Sequence, residues 1–169
     1  MKNSDELLDL VDENDRVIDQ ALRSKIYSLG LKNYRVINTF IINEKGELWI
    51  PRRNKQRKYF PGCLDSSFGG HVLAGENYED TFKRELMEEL NIDYREIEWK
   101  TWCYLNPYRY QVSSFMTIYR IDSNKTPVYN KTEFIEAFWI EPQRLYQAIL
   151  SGEPSKSDLK ILLELLFDF

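Results

Sequence analysis

The chain has 169 residues, of which 43% are hydrophobic and 14% aromatic, and its formal net charge is −4. This size and composition are typical of one globular domain and exclude extended disorder. The acidic balance argues against binding of a nucleic acid polymer, and no apolar run approaches the roughly 20 residues of a membrane span. Two cysteines without metal-ligand spacing, and an acidic N-terminus without a signal peptide, predict a cytoplasmic location. We predict a single domain over residues 1–169.

The first 33 residues predict an N-terminal extension of about residues 5–33. Two short apolar segments, 7–11 and 17–21, surround turn-forming residues and predict a β-hairpin. A short helix is predicted to begin at Arg23 and to end at Gly30, because glycine is favoured just past helix ends.

Strands dominate the next two thirds of the chain, and helices follow at its end. The predicted strands are residues 35–42, 47–51, 63–68, 99–105, 112–121 and 134–140. Residues 142–150 predict a helix with proline in its first turn, and Ser157 is predicted to cap the last helix. Together with one strongly patterned helix near residue 80, these elements predict an α/β fold around a mixed sheet.

Residues 77–90 have helical periodicity with two distinct faces. One face is an apolar stripe for the core, formed by Phe82, Leu86 and Leu90. Three glutamates share another face at helical spacing: Glu85, Glu88 and Glu89. Such like charges destabilise a helix unless a cation lies among them, and clustered carboxylates suit hard cations such as Mg²⁺ and Mn²⁺. The alternative is a solvated acidic face, and the helix alone does not decide between the two.

The spacing of residues 70–92 favours the metal site. It reads Gly, five residues, Glu, seven residues, Arg-Glu, an aliphatic residue, any residue, Glu-Glu, any residue, Asn and an aliphatic residue. This pattern resembles the signature of the Nudix hydrolase superfamily. Six fixed positions match it: Gly70, Glu76, Arg84, Glu85, Glu88 and Glu89. The family's last glycine is Asn91 here, and because asparagine tolerates a left-handed backbone, we expect a cost in stability and none in chemistry.

The resemblance implies a Nudix-type α/β/α sandwich whose signature forms a catalytic loop–helix–loop. It implies hydrolysis of a diphosphate linkage in a nucleoside diphosphate-linked or related small molecule, with Mg²⁺ or Mn²⁺ as cofactor. The implied metal ligands are Glu85, Glu88, Glu89 and the carbonyl of Gly70. The implied catalytic residues are Glu85, Glu88, Arg84 and Glu76. Glu76 and Arg84 position the other residues, and Glu85 is the favoured base. Homodimers are common in the family, and the sequence leaves the oligomeric state open.

Residues outside the motif complete the predicted site. Many members of the superfamily add one further carboxylate, for which Glu133 and Glu136 are the candidates, and Glu136 is taken as the predicted ligand. The alternative is that both are surface glutamates beside an edge strand. Arg52 and Arg53 lie at the end of a predicted strand in a basic run and are predicted to contact phosphate, with a solvated loop as the alternative. His71 is predicted to be structural or to contact substrate.

Two other functions are weighed against hydrolysis. Several short segments, such as residues 12–15, 60–62 and 70–72, resemble the branch that includes type 1 isopentenyl diphosphate isomerase and its hydrolase-like relatives. That isomerase uses a cysteine and several histidines, whereas the aligned position is Gly69 here and His71 is the single histidine, so isomerase activity is disfavoured. A non-catalytic nucleotide-binding sensor is also disfavoured, because every acidic position of the motif is present.

Overall fold

The computed structural model describes residues 4–169, in which eight strands and four α-helices occur. The strands are β1 (Leu7–Val11), β2 (Val17–Leu22), β3 (Arg35–Ile42), β4 (Leu48–Arg53), β5 (Phe68–His71), β6 (Lys100–Leu105), β7 (Phe115–Asp122) and β8 (Phe134–Ile140). The helices are α1 (Arg23–Ser28), α2 (Tyr78–Leu90), α3 (Pro142–Leu150) and α4 (Leu159–Leu166). A 3₁₀ turn at Tyr94–Glu96 follows α2. Within residues 4–169, no helix is long and apolar enough to cross a bilayer.

The main sheet is mixed, as predicted. Its strand order is β6-β7-β3-β4-β8, and β5 also pairs with β3. The pairing of β3 with β7 is parallel, whereas the other pairings in this sheet are antiparallel. Strand β3 therefore lies in the middle of the sheet and receives β5, which carries the first residue of the motif.

Helices cover both faces of this sheet, so the predicted α/β/α sandwich is confirmed. Side chains alternate along β3, and Ile37 and Ile41 pack with the apolar stripe of α2. Phe40 and Ile42 point to the opposite face, where they pack in the cluster that includes Leu145 and Leu162 of α3 and α4. Two separate apolar cores thus fix α2 on one side of the sheet and the C-terminal helices on the other.

The predicted N-terminal hairpin and helix are present and pack against the rest of the chain. Strands β1 and β2 are antiparallel, and Leu8 and Ile26 are buried together with Tyr34. The Val11 amide donates to the Asn33 carbonyl at 2.8 Å, and Arg35 pairs with Asp15 at 2.6 Å. These contacts place the residues just after β2, including all of α1, beside the motif.

Both ends of α2 are capped, the first by the side chain of Asn77 and the last by the backbone conformation of Asn91. The Asn77 side chain accepts a hydrogen bond from the Asp80 amide at 2.8 Å, which satisfies one free donor of the first turn. At the other end Asn91 adopts φ 55° and ψ 33°, the left-handed conformation expected of the residue that replaces the family's glycine. The helix is therefore held with its acidic face at a fixed orientation.

Two local predictions are wrong. Residues 63–68 do not form a strand, because Leu64 makes only isolated bridges and the ladder with β3 begins at Phe68. Strand β5 contains two glycines, which disfavour a strand locally, so its pairing depends on β3. Ser157 is not the cap of α4: Asp158 holds that position, and its carboxylate accepts from the Ser113 amide at 3.0 Å.

We expect Asn91→Gly to stabilise the protein and Asn91→Ala to destabilise it. Glycine adopts the left-handed conformation without the Cβ penalty, and alanine loses the tolerance of asparagine, so each change is expected to be about 0.5–1 kcal/mol in opposite directions. Urea unfolding of the two variants and the parent measures this difference. Equal midpoints for the glycine and alanine variants would contradict the importance of this cap.

Candidate active site

A cavity of about 210 Å³ lies between β5, the acidic face of α2 and the N-terminal extension. Four glutamates line one part of it: Glu85, Glu88, Glu89 and Glu133. Basic side chains from four separate segments also line it: Arg23, Arg53, Arg57, Lys58 and Lys156. The cavity therefore brings carboxylates and cations from distant parts of the chain to one place.

Arg84 organises the carboxylates of the motif. Its guanidinium donates to both Glu76 oxygens, at 2.8 and 2.9 Å, and to the His71 carbonyl at 3.0 Å. It also pairs with Glu85 and lies 3.4 Å from a Glu88 oxygen. Burial raises the pKa of Glu76, but the hydrogen bonds from Arg84 and Thr81 outweigh it and lower that pKa. Glu76 and Arg84 thus form a charged support that orients Glu85 and Glu88.

Glu89 is a buried carboxylate among other negative charges. Only 6% of the residue is exposed. Burial first, and then the charges of Glu85, Glu133 and Asp65, raise the pKa of Glu89 well above its usual value. A nearby cation would stabilise this group of carboxylates.

Gly70 is the residue at which β5 touches Glu85. A Cβ built at Gly70 would lie less than 3.0 Å from the Glu85 carboxylate, so the absence of a side chain lets this carboxylate lie against the strand. Gly69 is constrained differently, because its Cβ would meet the backbone carbonyl of Ile37 on β3. Gly70 therefore makes room for the side chain of Glu85, and Gly69 makes room for the backbone of β3.

The donor chemistry of the cavity fits a hard divalent cation. Glu85, Glu88, Glu89, Glu133 and the backbone of Gly70 offer oxygen ligands, which Mg²⁺ and Mn²⁺ prefer. Over residues 4–169, no three His, Cys, Asp or Glu side chains are already grouped so that they could hold a metal ion. Arg84 holds two of the glutamates in ion pairs, so we expect their side chains to turn when a cation binds.

The structure does not bring the predicted ligand Glu136 to this cavity. Glu136 lies opposite Arg52 in the ladder between β8 and β4, and the two side chains form an ion pair that also involves Glu153. Neither Glu136 nor Arg52 is among the cavity-lining residues. Glu133, the other candidate, does line the cavity and pairs with Arg57 at 2.5 Å. The placement therefore favours Glu133 as the additional carboxylate.

Arg53 and His71 both line the cavity. Arg53 pairs with Asp65 at 2.9 Å and donates to the Tyr59 carbonyl at 3.1 Å. His71 Nε2 lies 2.7 Å from the Tyr27 hydroxyl, and Nδ1 lies 3.6 Å from a Glu6 oxygen. Burial, followed by the nearby positive charges, lowers the pKa of His71 well below its usual value. Its ring is therefore neutral and faces protein groups with both nitrogens.

Several cavity residues were missed by the sequence analysis. Arg23 and Tyr27 come from α1, and Lys156 comes from the segment between α3 and α4. These residues share no motif or periodicity with the acidic helix. They reach the cavity through the packing of the extension and of the C-terminal helices, which no local pattern reveals.

A family model described as the NUDIX domain matches residues 32–162. The chain belongs to the Nudix family. An uncharacterized Nudix hydrolase of Nostoc sp. is 52% identical over 162 residues, which cover 96% of each chain. The crystal structure of DR0079 from Deinococcus radiodurans has a TM-score of 0.91 and 39% identity, and the match covers 96% of this chain and all of that one. An isopentenyl-diphosphate Delta-isomerase of Paenarthrobacter aurescens is 28% identical over 87% of this chain and 82% of its own.

The predicted family, fold and enzyme class are therefore confirmed. This Nudix protein is a hydrolase that acts on pyrophosphate bonds, and its family generally uses divalent metal cations. The match begins at residue 32 and so leaves out Arg23 and Tyr27, which the structure nevertheless places in the cavity.

We expect Gly69→Ala and Gly70→Ala to have different effects. The alanine at position 69 collides with the backbone of β3, and we expect a loss of about 1–3 kcal/mol in unfolding free energy. The alanine at position 70 collides with a side chain that can move, so we expect a folded protein with displaced Glu85 and at least about ten-fold lower hydrolysis. Urea unfolding and turnover of both variants test this. Full activity of Gly70→Ala would contradict the placement of Glu85.

We expect Glu89→Gln to raise the melting temperature of the metal-free protein. The substitution removes a buried negative charge that lies near other carboxylates, and each kcal/mol gained corresponds to about 2–4 °C in a domain of this size. Melting curves in a chelator and in Mg²⁺ make the comparison, with the exposed Glu98→Gln as control. Mg²⁺ is expected to stabilise the parent and the control more than Glu89→Gln. Equal stabilisation of all three would place the metal elsewhere.

Proposed function

We propose that this protein hydrolyses a diphosphate linkage in a nucleoside diphosphate-linked or related small molecule, with Mg²⁺ or Mn²⁺ as cofactor. The observation that carries the proposal is that acidic and basic side chains line the same cavity. The glutamates of α2 and Glu133 form an oxygen-rich position for a cation, and Arg53 and Arg57 provide positive charge for phosphate oxygens. Neither set alone would accommodate a diphosphate together with a metal.

The residues take distinct roles in this proposal. Glu85, Glu88, Glu89 and the Gly70 carbonyl would hold the cation, and Glu133 would take the place first given to Glu136. A divalent cation in this position would neutralise phosphate charge and lower the pKa of a bound water molecule. We assign to Glu85 the role of base toward the attacking water, as the family resemblance implies, and this residue lines the cavity. Arg84 and Glu76 keep its carboxylate oriented.

Isomerisation of isopentenyl diphosphate remains disfavoured, although a relative bears that name. The isomerase-like alignment requires a thiol at position 69, where any side chain would meet the β3 backbone. His71, the single histidine of the chain, is held between Tyr27 and Glu6. The cavity therefore lacks the thiol and the set of imidazoles that the isomerase uses. A non-catalytic sensor stays the other disfavoured alternative, the oligomeric state stays open, and the cytoplasmic location stays a prediction from the sequence.

Incubation with a mixed panel of substrates tests the proposal. The panel contains nucleoside di- and triphosphates, sugar nucleotides, dinucleotides and isopentenyl diphosphate, each with Mg²⁺ or Mn²⁺, and NMR identifies the products. We expect cleavage of a diphosphate linkage, with turnover reduced about 100-fold or more in Glu88→Gln and Glu89→Gln. The matched control Glu98→Gln should retain full turnover, because Glu98 is exposed and outside the cavity.

Three results would change this assignment. Unchanged turnover in both glutamine variants would exclude the carboxylates of α2 as metal ligands. An isomerised prenyl product would restore the isomerase function. Binding of a nucleotide without any product would instead favour the sensor.

A further inference from the structure

Lys156 belongs to a segment whose backbone is fixed beside the cavity. The Lys156 amide donates to the Leu64 carbonyl at 2.8 Å, and the Leu64 amide donates to the Pro154 carbonyl at 2.8 Å. Two residues further on, the buried Asp158 carboxylate accepts from both the amide and the hydroxyl of Ser113. The segment is thus anchored on both sides of Lys156, and the base of this side chain is held in place before any ligand arrives.

The ammonium group of Lys156 is held less tightly than the guanidinium group of Arg53. Its Nζ lies 3.7 Å from Asp65 Oδ2, and that same oxygen already accepts from Arg53 Nη1 at 2.9 Å. The other Asp65 oxygen accepts from the Ser66 amide at 2.8 Å. Because Asp65 is satisfied by shorter contacts, Lys156 can turn towards an anion in the cavity without leaving a buried carboxylate unpaired.

Arg23 brings a second incompletely satisfied cation to the same cavity. Its Nη1 pairs with Glu6 at 2.8 Å and its guanidinium lies over the Tyr59 ring at 5.0 Å, but its buried Nε has no hydrogen-bond partner. Buried donors without a protein partner are rare, so Arg23 Nε has the capacity to donate a hydrogen bond to a ligand in the cavity. Arg23 and Lys156 both line the same cavity.

We propose that Lys156, with Arg23, binds the anionic group of the substrate that lies away from the metal-binding carboxylates. This anion position rests on the proposed function for the identity of its ligand, a phosphoryl group of a diphosphate. It is built by segments outside the signature motif, and Arg23 lies outside the region that the family model matches. Lys156 and Arg23 therefore determine specificity, since they favour substrates that carry negative charge at this end.

The first test measures binding of inorganic pyrophosphate to the whole protein in a chelator, by calorimetry. We expect Lys156→Gln to bind about ten-fold to a hundred-fold more weakly, because a charge-assisted hydrogen bond is lost, and Lys156→Arg to recover most of the affinity. The matched control Lys125→Gln removes an exposed lysine that does not line the cavity and should bind like the parent. Unchanged binding in Lys156→Gln would overturn the proposal and leave Lys156 as a surface partner of Asp65.

A second measurement does not depend on the folding of any variant. Lysine acylation of the parent protein, followed by mass spectrometry, should show protection of Lys156 by pyrophosphate and no protection of Lys125. Equal reactivity of Lys156 with and without pyrophosphate would contradict the anion position.

Kinetics then separate this proposal from the proposed function. With any substrate that the panel identifies, Lys156→Gln should raise KM about ten-fold while kcat changes little, the result expected when binding is lost equally in ground and transition states. A lower kcat with unchanged KM would overturn the assignment to substrate binding. If the parent hydrolyses nothing but its pyrophosphate binding still depends on Lys156, the anion position stands and the hydrolase assignment fails.

Discussion

The active site depends on the ion pairs of Arg84. Three glutamates crowd one face of α2, and such crowding opposes helix formation unless positive charge compensates it. Arg84 supplies that charge within the same turn, and Glu76 in turn fixes Arg84 through two hydrogen bonds. The helix can therefore fold with its carboxylates already gathered on one face.

Strand β5 couples this charged helix to the rest of the sheet. Its two glycines allow closer approach than any other residue would, one towards Glu85 and one towards the backbone of β3. Strand β3 thus determines how far the carboxylates lie from the centre of the sheet. The same close packing prevents a side chain at position 69, so the constraint that builds a hydrolase site also removes the position of a catalytic thiol. Gly69 and Gly70 therefore affect both the packing of β5 against β3 and the placement of Glu85.

The motif supplies only a minority of the residues that line the cavity: Gly70, His71, Glu85, Glu88 and Glu89. The loop after β4 and elements near both ends of the chain supply most of the others. The acidic part could be predicted because the spacing of Glu85, Glu88 and Glu89 on a helix fixes their common face. The boundaries of β3, β8 and α3 could also be predicted, since apolar periodicity and turn residues mark them. Strand β5 could not, because two glycines carry no strand signal and their pairing comes from β3. The sequence also could not show that Glu133 lines the cavity whereas Glu136 pairs with Arg52 across the ladder of β4 and β8, because this depends on the pairing of distant strands.

The sequence by itself determined the family, through the spacing of the motif, and the common face of Glu85, Glu88 and Glu89, through helical periodicity. The α/β/α architecture followed from the resemblance to that family. Only the tertiary structure decided which cations face those carboxylates. Arg23 and Lys156 are separated by more than a hundred residues and belong to no common pattern, and they meet because the extension and the C-terminal helices pack on either side of the motif. A side chain's distance to a distant segment depends on packing, and packing is a property of the whole fold.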